Sequence, residues 1–105
     1  VKGKTKSRDW NKKVALTAPG QYPFAAIVGC IDSRVPSELI FDQGLGDLFN
    51  ARVAGPVLNK DILGSLEFAC KVAGSKIVVV LGHTECGAVK GAISDVKLGN
   101  LTELV

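Results

Sequence analysis

Three side chains that can bind a metal occur in two short motifs of the 105-residue sequence. Cys30 begins the first motif, C-I-D-S-R, and His83 and Cys86 begin and end the second, H-T-E-C. Two thiolates and one imidazole are soft ligands that favour zinc over magnesium or calcium. Three protein ligands also leave one position of a tetrahedral zinc ion open, as in catalytic zinc sites. The pattern therefore predicts a zinc site that can take up water or substrate.

Two opposite charges, Asp32 and Arg34, follow the first cysteine. A carboxylate beside thiolates stays ionised when a cation is near, and an arginine does not deprotonate. Asp32 can then accept a hydrogen bond from an oxygen on the metal, or bind the metal itself as a fourth ligand and close the site. The alternatives are a surface ion pair of little consequence, and cysteine and histidine side chains that merely fill a core.

The elements before each motif must bring the two motifs together. Each motif follows a short run of small and β-branched residues, 24–28 and 77–81, which is typical of a buried parallel strand. Ligand sites of open α/β sheets lie at the carboxyl ends of the strands. Two neighbouring parallel strands would therefore place both motifs at one edge of the sheet.

The pattern predicts an α/β fold with a parallel-sheet core of three or more strands flanked by helices. Pro36 suits the first turn of a helix, Asn59 is a good N-cap, and Gly74 a good C-terminal stop. Cys70 falls on the apolar stripe of the helix after Asn59, so we expect it in the core. The third strand is expected to be buried on both faces. The expected strands cover residues 24–29, 48–53 and 76–81, and the expected helices cover 37–41, 60–73 and about 85–93.

Composition limits the class of protein. A hydrophobic content of 47% with 22% charged residues is ordinary for a globular domain, and no apolar run is long enough to span a bilayer. Three cysteines form an odd and small set, which disfavours a secreted disulfide scaffold and favours the cytoplasm or another reducing compartment. The chain contains no methionine and starts at Val1, so we expect a trimmed or processed chain. The sequence is also compatible with a targeting segment that has been removed.

Basic residues are concentrated at the amino end. The first 13 positions hold six of the 13 lysines and arginines, which predicts a basic N-terminal arm or helix over residues 1–20 and a zinc-binding α/β domain over 21–105. Trp10, Val14 and Leu16 are its expected anchors. Because aromatic residues do not alternate with the basic ones, we do not expect a nucleic-acid partner.

The paired motifs resemble the signature of the β-class carbonic anhydrases, and the similarity extends over about residues 21–93, including the segment R-V-A-G that begins at Arg52. The resemblance implies reversible hydration of carbon dioxide to bicarbonate and a proton, through attack by a zinc-bound hydroxide. It also implies one Zn²⁺ per chain and a homodimer or higher homo-oligomer. The implied site residues are the metal ligands Cys30, His83 and Cys86, the catalytic pair Asp32 and Arg34, and the substrate-binding Gln21, which commonly acts across the dimer interface.

The chain also differs from the family pattern. Ile27 stands where the bicarbonate-regulated subgroup has Trp, so the chain resembles the open, type I-like subgroup, and Pro56 replaces a usual Asn. Family members are longer, so we expect a chain that lacks the usual C-terminal part. The alternatives are a catalytically silent zinc-binding relative that acts in assembly and a carbon disulfide or carbonyl sulfide hydrolase. A nucleotide-binding domain is disfavoured, because Gly44-x-Gly46 precedes a strand and lacks a third glycine.

Overall fold

The computed structural model describes residues 10–105, without the Trp10 side chain. The basic stretch before residue 10 and the expected anchoring by Trp10 therefore lie outside the described residues, and the boundary near residue 20 stays a prediction. None of the described helices is long and apolar enough to cross a membrane. The elements are α1 (Trp10–Thr17), β1 (Ala25–Cys30), α2 (Ser37–Ile40), β2 (Leu48–Val53), α3 (Lys60–Glu67), a π-helical segment (Phe68–Val72), β3 (Ile77–Val80), α4 (Gly87–Ile93) and α5 (Leu101–Leu104).

A three-stranded parallel sheet with the order β2-β1-β3 forms the centre of the fold. β1 is paired on both edges and all six of its residues are buried, which agrees with its run of small and β-branched side chains. The register pairs Cys30 with Val53 on one side and Val28 with Val80 on the other. The predicted α/β class is confirmed, and every predicted strand is found to within one residue at each end.

The helix after β2 begins where the sequence predicts. The Asn59 side chain accepts a hydrogen bond of 2.8 Å from the backbone N–H of Ile62, which caps α3. The last turn is wider than expected, because Ala73 N–H donates to the Phe68 carbonyl five residues earlier at 2.9 Å. Gly74 then ends the run with φ +81°, a left-handed conformation that glycine adopts readily.

The expectation that Cys70 lies in the core is wrong, since its side chain is exposed. Only a narrow line of this helix is buried, at Ile62 and Ala69, which stand two turns apart. Cys70 is the next residue after Ala69, about 100° further round the helix, and this face meets no covering element among the described residues.

The expectation that β3 is buried on both faces is also wrong. Ile77 and Val80 are 52% and 61% exposed, and Val79 alone is packed against the core cluster of the sheet. Among residues 10–105 no further strand pairs with the outer side of β3, and the exposure of Ile77 and Val80, which point to opposite faces, shows that both faces are largely uncovered. An apolar run reveals a strand suited to burial, but not what covers it.

Polar contacts attach α1 to the loop before β2. Lys13 Nζ lies 3.2 Å from Asp47 Oδ1. Thr17 packs so closely against Gly46 that a Cβ at this position would lie 2.6 Å from its methyl group, and the φ of Gly46, +86°, also favours glycine. The predicted anchors Val14 and Leu16 are exposed, so that expectation is wrong within one chain.

Candidate metal centre

The ligand atoms of Cys30, His83 and Cys86 converge at the carboxyl end of the sheet, where they all lie within 4.8 Å of one another. Around a tetrahedral zinc ion, with bonds of about 2.3 Å to sulfur and 2.0 Å to nitrogen, such atoms stand roughly 3.5–3.8 Å apart. Small side-chain movements are thus enough to close the three groups around an ion. Both thiols are buried, as expected for ligands and not for surface cysteines.

Strand pairing is what brings the two motifs together. Cys30 is the last residue of β1, and β3 ends at Val80, opposite Val28. The ladder continues one step further, with Leu81 N–H donating to the Val28 carbonyl at 2.8 Å. The chain therefore leaves β3 beside Cys30, which confirms that both motifs reach the same edge of the sheet.

A left-handed residue shapes the turn between His83 and Cys86. Glu85 has φ +56°, uncommon for a residue with a side chain, and the chain turns there so that Cys86 returns towards His83. The Glu85 carbonyl accepts a hydrogen bond of 3.2 Å from Arg34 Nη2, which links the two motifs directly. The Glu85 carboxylate pairs with Lys90 in α4.

The imidazole of His83 is oriented for an ion. Its Nδ1 lies 2.8 Å from the Thr84 carbonyl, which only accepts, so in the neutral imidazole Nδ1 carries the proton and Nε2 has a free lone pair. His83 Nε2 is the one buried side-chain nitrogen or oxygen without a hydrogen-bond partner in the described part of the chain. A histidine that binds a metal through one nitrogen usually donates from the other in this way. The residues present therefore fit a metal ion.

The Cys30 sulfur is surrounded by groups that favour its thiolate. Burial opposes the charge and would raise the pKa, but the nearby His83 ring and two backbone N–H groups outweigh it and lower the pKa from 9.0 to about 7. These N–H groups belong to Asp32 and Gly55 and lie 3.4 and 3.2 Å from the sulfur. A thiolate is the form that binds metal. The contact between His83 and Cys30, together with the hydrogen bond to the Thr84 carbonyl, raises the pKa of His83.

Asp32 and Arg34 form a closely bonded pair beside this cluster. Arg34 Nε and Nη2 donate to the two carboxylate oxygens of Asp32 at 2.9 and 2.5 Å, and the Arg34 backbone N–H donates at 2.8 Å. These bonds hold the pKa of Asp32 well below its usual range. The Asp32 side chain is 14% exposed and that of Arg34 is 64% exposed, so the carboxylate is sheltered while the guanidinium is open to solvent. Asp32 is not one of the three converging groups.

Within one chain, Gln21 does not lie near the cluster of Cys30, His83 and Cys86. It is exposed and lies four residues before β1, whereas Cys30 is at the other end of that strand. Six residues of strand span roughly 20 Å, which is too far for a glutamine side chain to reach.

Two residues to which the sequence analysis gave no role contact the first motif. The Gly55 N–H reaches the Cys30 sulfur, and the Arg52 guanidinium donates to the carbonyls of Cys30 and Asp32, both at 2.6 Å. The sequence does carry a signal for Arg52, since this residue begins the R-V-A-G segment to which the family resemblance extends.

A mostly apolar cavity of about 330 Å³ adjoins the cluster, and its lining includes Cys30, Asp32, Ala54 and Ala88. A larger cavity, of about 520 Å³, lies between β2 and α3 and contacts none of the converging groups. We assign chemistry to the smaller cavity, because only there do titratable groups with shifted pKa values face the open space.

Comparison with known proteins agrees with this geometry. Residues 25–105 match the family model described as carbonic anhydrase. The chain is 52% identical over 84 residues to carbonic anhydrase 2 of Mycobacterium tuberculosis, an alignment that covers 80% of this chain and 41% of that protein.

Two solved structures are similar as well. The β-carbonic anhydrase CafA of Aspergillus fumigatus has a TM-score of 0.80 and 35% identity, over 90% of this chain and 47% of that one. A tetrameric β-carbonic anhydrase from Sordaria macrospora has a TM-score of 0.76 and 28% identity, over 90% of this chain and 53% of that one.

Fold, site and sequence similarity together define a class of α/β protein with a Cys-His-Cys group at the carboxyl end of its sheet. The chain belongs to the β-class carbonic anhydrase family. It spans only about two fifths to one half of the length of these relatives.

Proposed function

We propose that this chain carries the zinc site of a carbonic anhydrase and catalyses the reversible hydration of carbon dioxide to bicarbonate and a proton. The observation that carries the proposal is the convergence of Cys30, His83 and Cys86, with His83 Nε2 unpartnered among the described residues. Membership of the carbonic anhydrase family supports the same reaction.

Cys30, His83 and Cys86 would hold one Zn²⁺ per chain and leave its fourth position open. When bound, zinc lowers the pKa of a water ligand towards about 7 and so supplies hydroxide at neutral pH. Two thiolates and an imidazole are the donor set that selects zinc over harder cations.

Asp32 has the properties of a group that orients an attacking oxygen. Because Arg34 keeps it ionised, Asp32 can accept a hydrogen bond but cannot donate one. Its carboxylate is fixed by three hydrogen bonds from Arg34, so the position of its lone pairs is set before substrate arrives. The pairing with Arg34 also supports the open, type I-like state, since a carboxylate engaged in this way is not free to become the fourth ligand.

The substrate side of the site has an apolar part and a polar part. The mostly apolar cavity beside Cys30 and Asp32 suits carbon dioxide, which carries no charge. Gln21 would donate a hydrogen bond to the substrate from a second copy of the chain, because it cannot reach the site of its own chain. A homodimer or larger homo-oligomer is therefore part of the proposal, and a tetrameric relative supports it.

The test is to purify the chain without chelators, measure its zinc content, and follow carbon dioxide hydration by stopped-flow with a pH indicator. The proposal predicts about one zinc per chain and hydration well above the buffer rate. Protein that folds but contains no zinc would contradict it. A panel with carbon disulfide and carbonyl sulfide separates the hydrolase alternative, which predicts faster turnover of those substrates.

A catalytically silent zinc-binding relative that acts in assembly is the second candidate. It is favoured by the exposure of Gln21, which does not reach the cluster of its own chain, and by the exposed apolar side chains of β3, which offer a surface for assembly. Full zinc occupancy with hydration at the buffer rate would support this candidate over the first.

A further inference from the structure

The side chain of Arg52 connects β2 to the first motif. Arg52 lies opposite Gly29 in the register, one residue before the end of β2. Its Nε donates to the Cys30 carbonyl and its Nη2 donates to the Asp32 carbonyl, each at 2.6 Å. One planar guanidinium thus holds the backbone on both sides of Ile31.

The loop between these two carbonyls is held at a third point. The Ile31 N–H donates to the Val53 carbonyl at 2.8 Å, so three successive residues of the loop are bonded to the end of β2. Cys30 supplies one of the converging sulfurs, and Asp32 supplies the carboxylate that Arg34 orients. The backbone positions from which the Cys30 sulfur and the Asp32 carboxylate project are therefore held by bonds to Arg52 and Val53.

The charge of Arg52 has no carboxylate partner among the described ion pairs. Hydrogen bonds from a charged donor to a carbonyl are stronger than neutral ones, and those of Arg52 both go to the motif. A lysine would place a single ammonium there and could not reproduce the two fixed donors of the guanidinium.

We propose that Arg52 is a positioning residue that sets the geometry of Cys30 and Asp32 relative to the metal. Arg52 acts through the two backbone carbonyls, and its contacts described here include neither the Cys30 sulfur nor the Asp32 carboxylate. The inference rests on the proposed zinc site and goes beyond it, because it assigns a role to a residue outside the ligand set and the Asp32–Arg34 pair.

The test compares Arg52→Lys and Arg52→Gln with Lys13→Gln. The control removes another half-buried cation, one that pairs with Asp47 in the loop before β2 and is remote from the motif. Each protein is loaded with cobalt(II), whose visible spectrum reports ligand geometry, and its zinc affinity, kcat and KM are measured. We expect both Arg52 variants to lose about 10- to 100-fold in zinc affinity or kcat and to show a changed cobalt spectrum. Lys13→Gln should match the wild type in all of these.

Three outcomes would overturn the inference. One is a wild-type cobalt spectrum and kcat in both Arg52 variants, and another is an equal loss in the Lys13 control. The third is a loss of zinc affinity or kcat in Arg52→Gln with wild-type values in Arg52→Lys, because a positive charge alone would then be sufficient to hold the motif. Arg52→Lys keeps the charge and the bulk of the side chain, so it gives a readout even where Arg52→Gln does not fold. If wild-type protein binds no cobalt or zinc, it is the proposed function that fails.

Discussion

At the scale of the residue, Asp32 is the group whose role can be separated from metal binding. Asp32→Asn keeps the shape of the side chain but removes the negative charge that Arg34 stabilises. We expect zinc content to be unchanged, because Asp32 is not among the converging ligand atoms. We expect kcat for hydration to fall by at least about 100-fold, the usual scale for a positioned proton acceptor.

Stopped-flow hydration and metal analysis on the same sample check this expectation. Ser33→Ala, between Asp32 and Arg34, is a suitable control, because Ser33 is exposed and is assigned no role here. An Asp32→Asn protein with full zinc and wild-type kcat would show that the carboxylate does not orient the nucleophile.

The sequence predicted the chemistry of single residues better than their surroundings. Residue type and spacing were enough to select Cys30, His83 and Cys86, because few side chains bind zinc and the strands before them were recognisable. Cys70 was misplaced since helical periodicity shows which face is apolar and not whether anything covers it. Arg52 received no role because its donors meet backbone carbonyls, and these are the same in every residue type.

At the scale of the element, the cap of α3 gives a prediction with a matched control. Asn59→Ala removes the hydrogen bond to the Ile62 N–H and should lower the free energy of unfolding by about 1 kcal/mol. Asn100 stands at the same position before α5 but makes no capping bond with its side chain, so Asn100→Ala should change stability by less than about 0.5 kcal/mol.

Urea unfolding of the zinc-loaded proteins, followed by circular dichroism, measures both values. Equal losses in the two variants would mean that the Asn59 bond contributes nothing particular to α3.

Strands and long helices were predictable because their signals are local. The apolar runs gave β1 and β3, and Asn59 and Gly74 marked both ends of the long helix. The π-helical turn at Phe68–Val72 was missed, since it depends on how the helix meets Ser75, whose N–H donates to the Ala69 carbonyl. The four-residue α5 was missed because one turn carries too little periodicity to detect.

At the scale of the whole molecule, the position of Gln21 predicts that one active site needs two copies of the chain. Gln21→Ala and Asp32→Asn should each inactivate the protein when tested separately. When the two variants are mixed and allowed to exchange subunits, a mixed dimer has one site with an intact Asp32 and an intact Gln21 from the other copy. Hydration should then recover to about a quarter of the wild-type value, since half of the dimers carry one whole site of two.

Absence of recovery after verified subunit exchange would contradict the sharing of Gln21 between copies. The control is a mixture of Asp32→Asn and Arg34→Ala, whose changes lie in the same motif. There each mixed dimer has one defect in each site, so no recovery is expected.

What the sequence could not supply at this scale is the surroundings of the site. The exposure of β3, the open face at Cys70 and the distance of Gln21 all depend on what packs against the chain. The relatives extend well beyond the part that this chain matches, so such contacts cannot be read from its 105 residues. The cellular compartment stays a prediction for the same reason.

The most direct test of the central claim is zinc X-ray absorption on the wild-type protein, on Cys86→Ser and on Cys70→Ser. We predict that zinc in the wild type is bound by two sulfurs at about 2.3 Å, one nitrogen at about 2.0 Å and one further light atom. Cys86→Ser should lose a sulfur ligand or the metal itself, whereas Cys70→Ser, which changes an exposed thiol, should match the wild type. A wild-type spectrum without sulfur ligands, or one that Cys86→Ser leaves unchanged, would contradict the account.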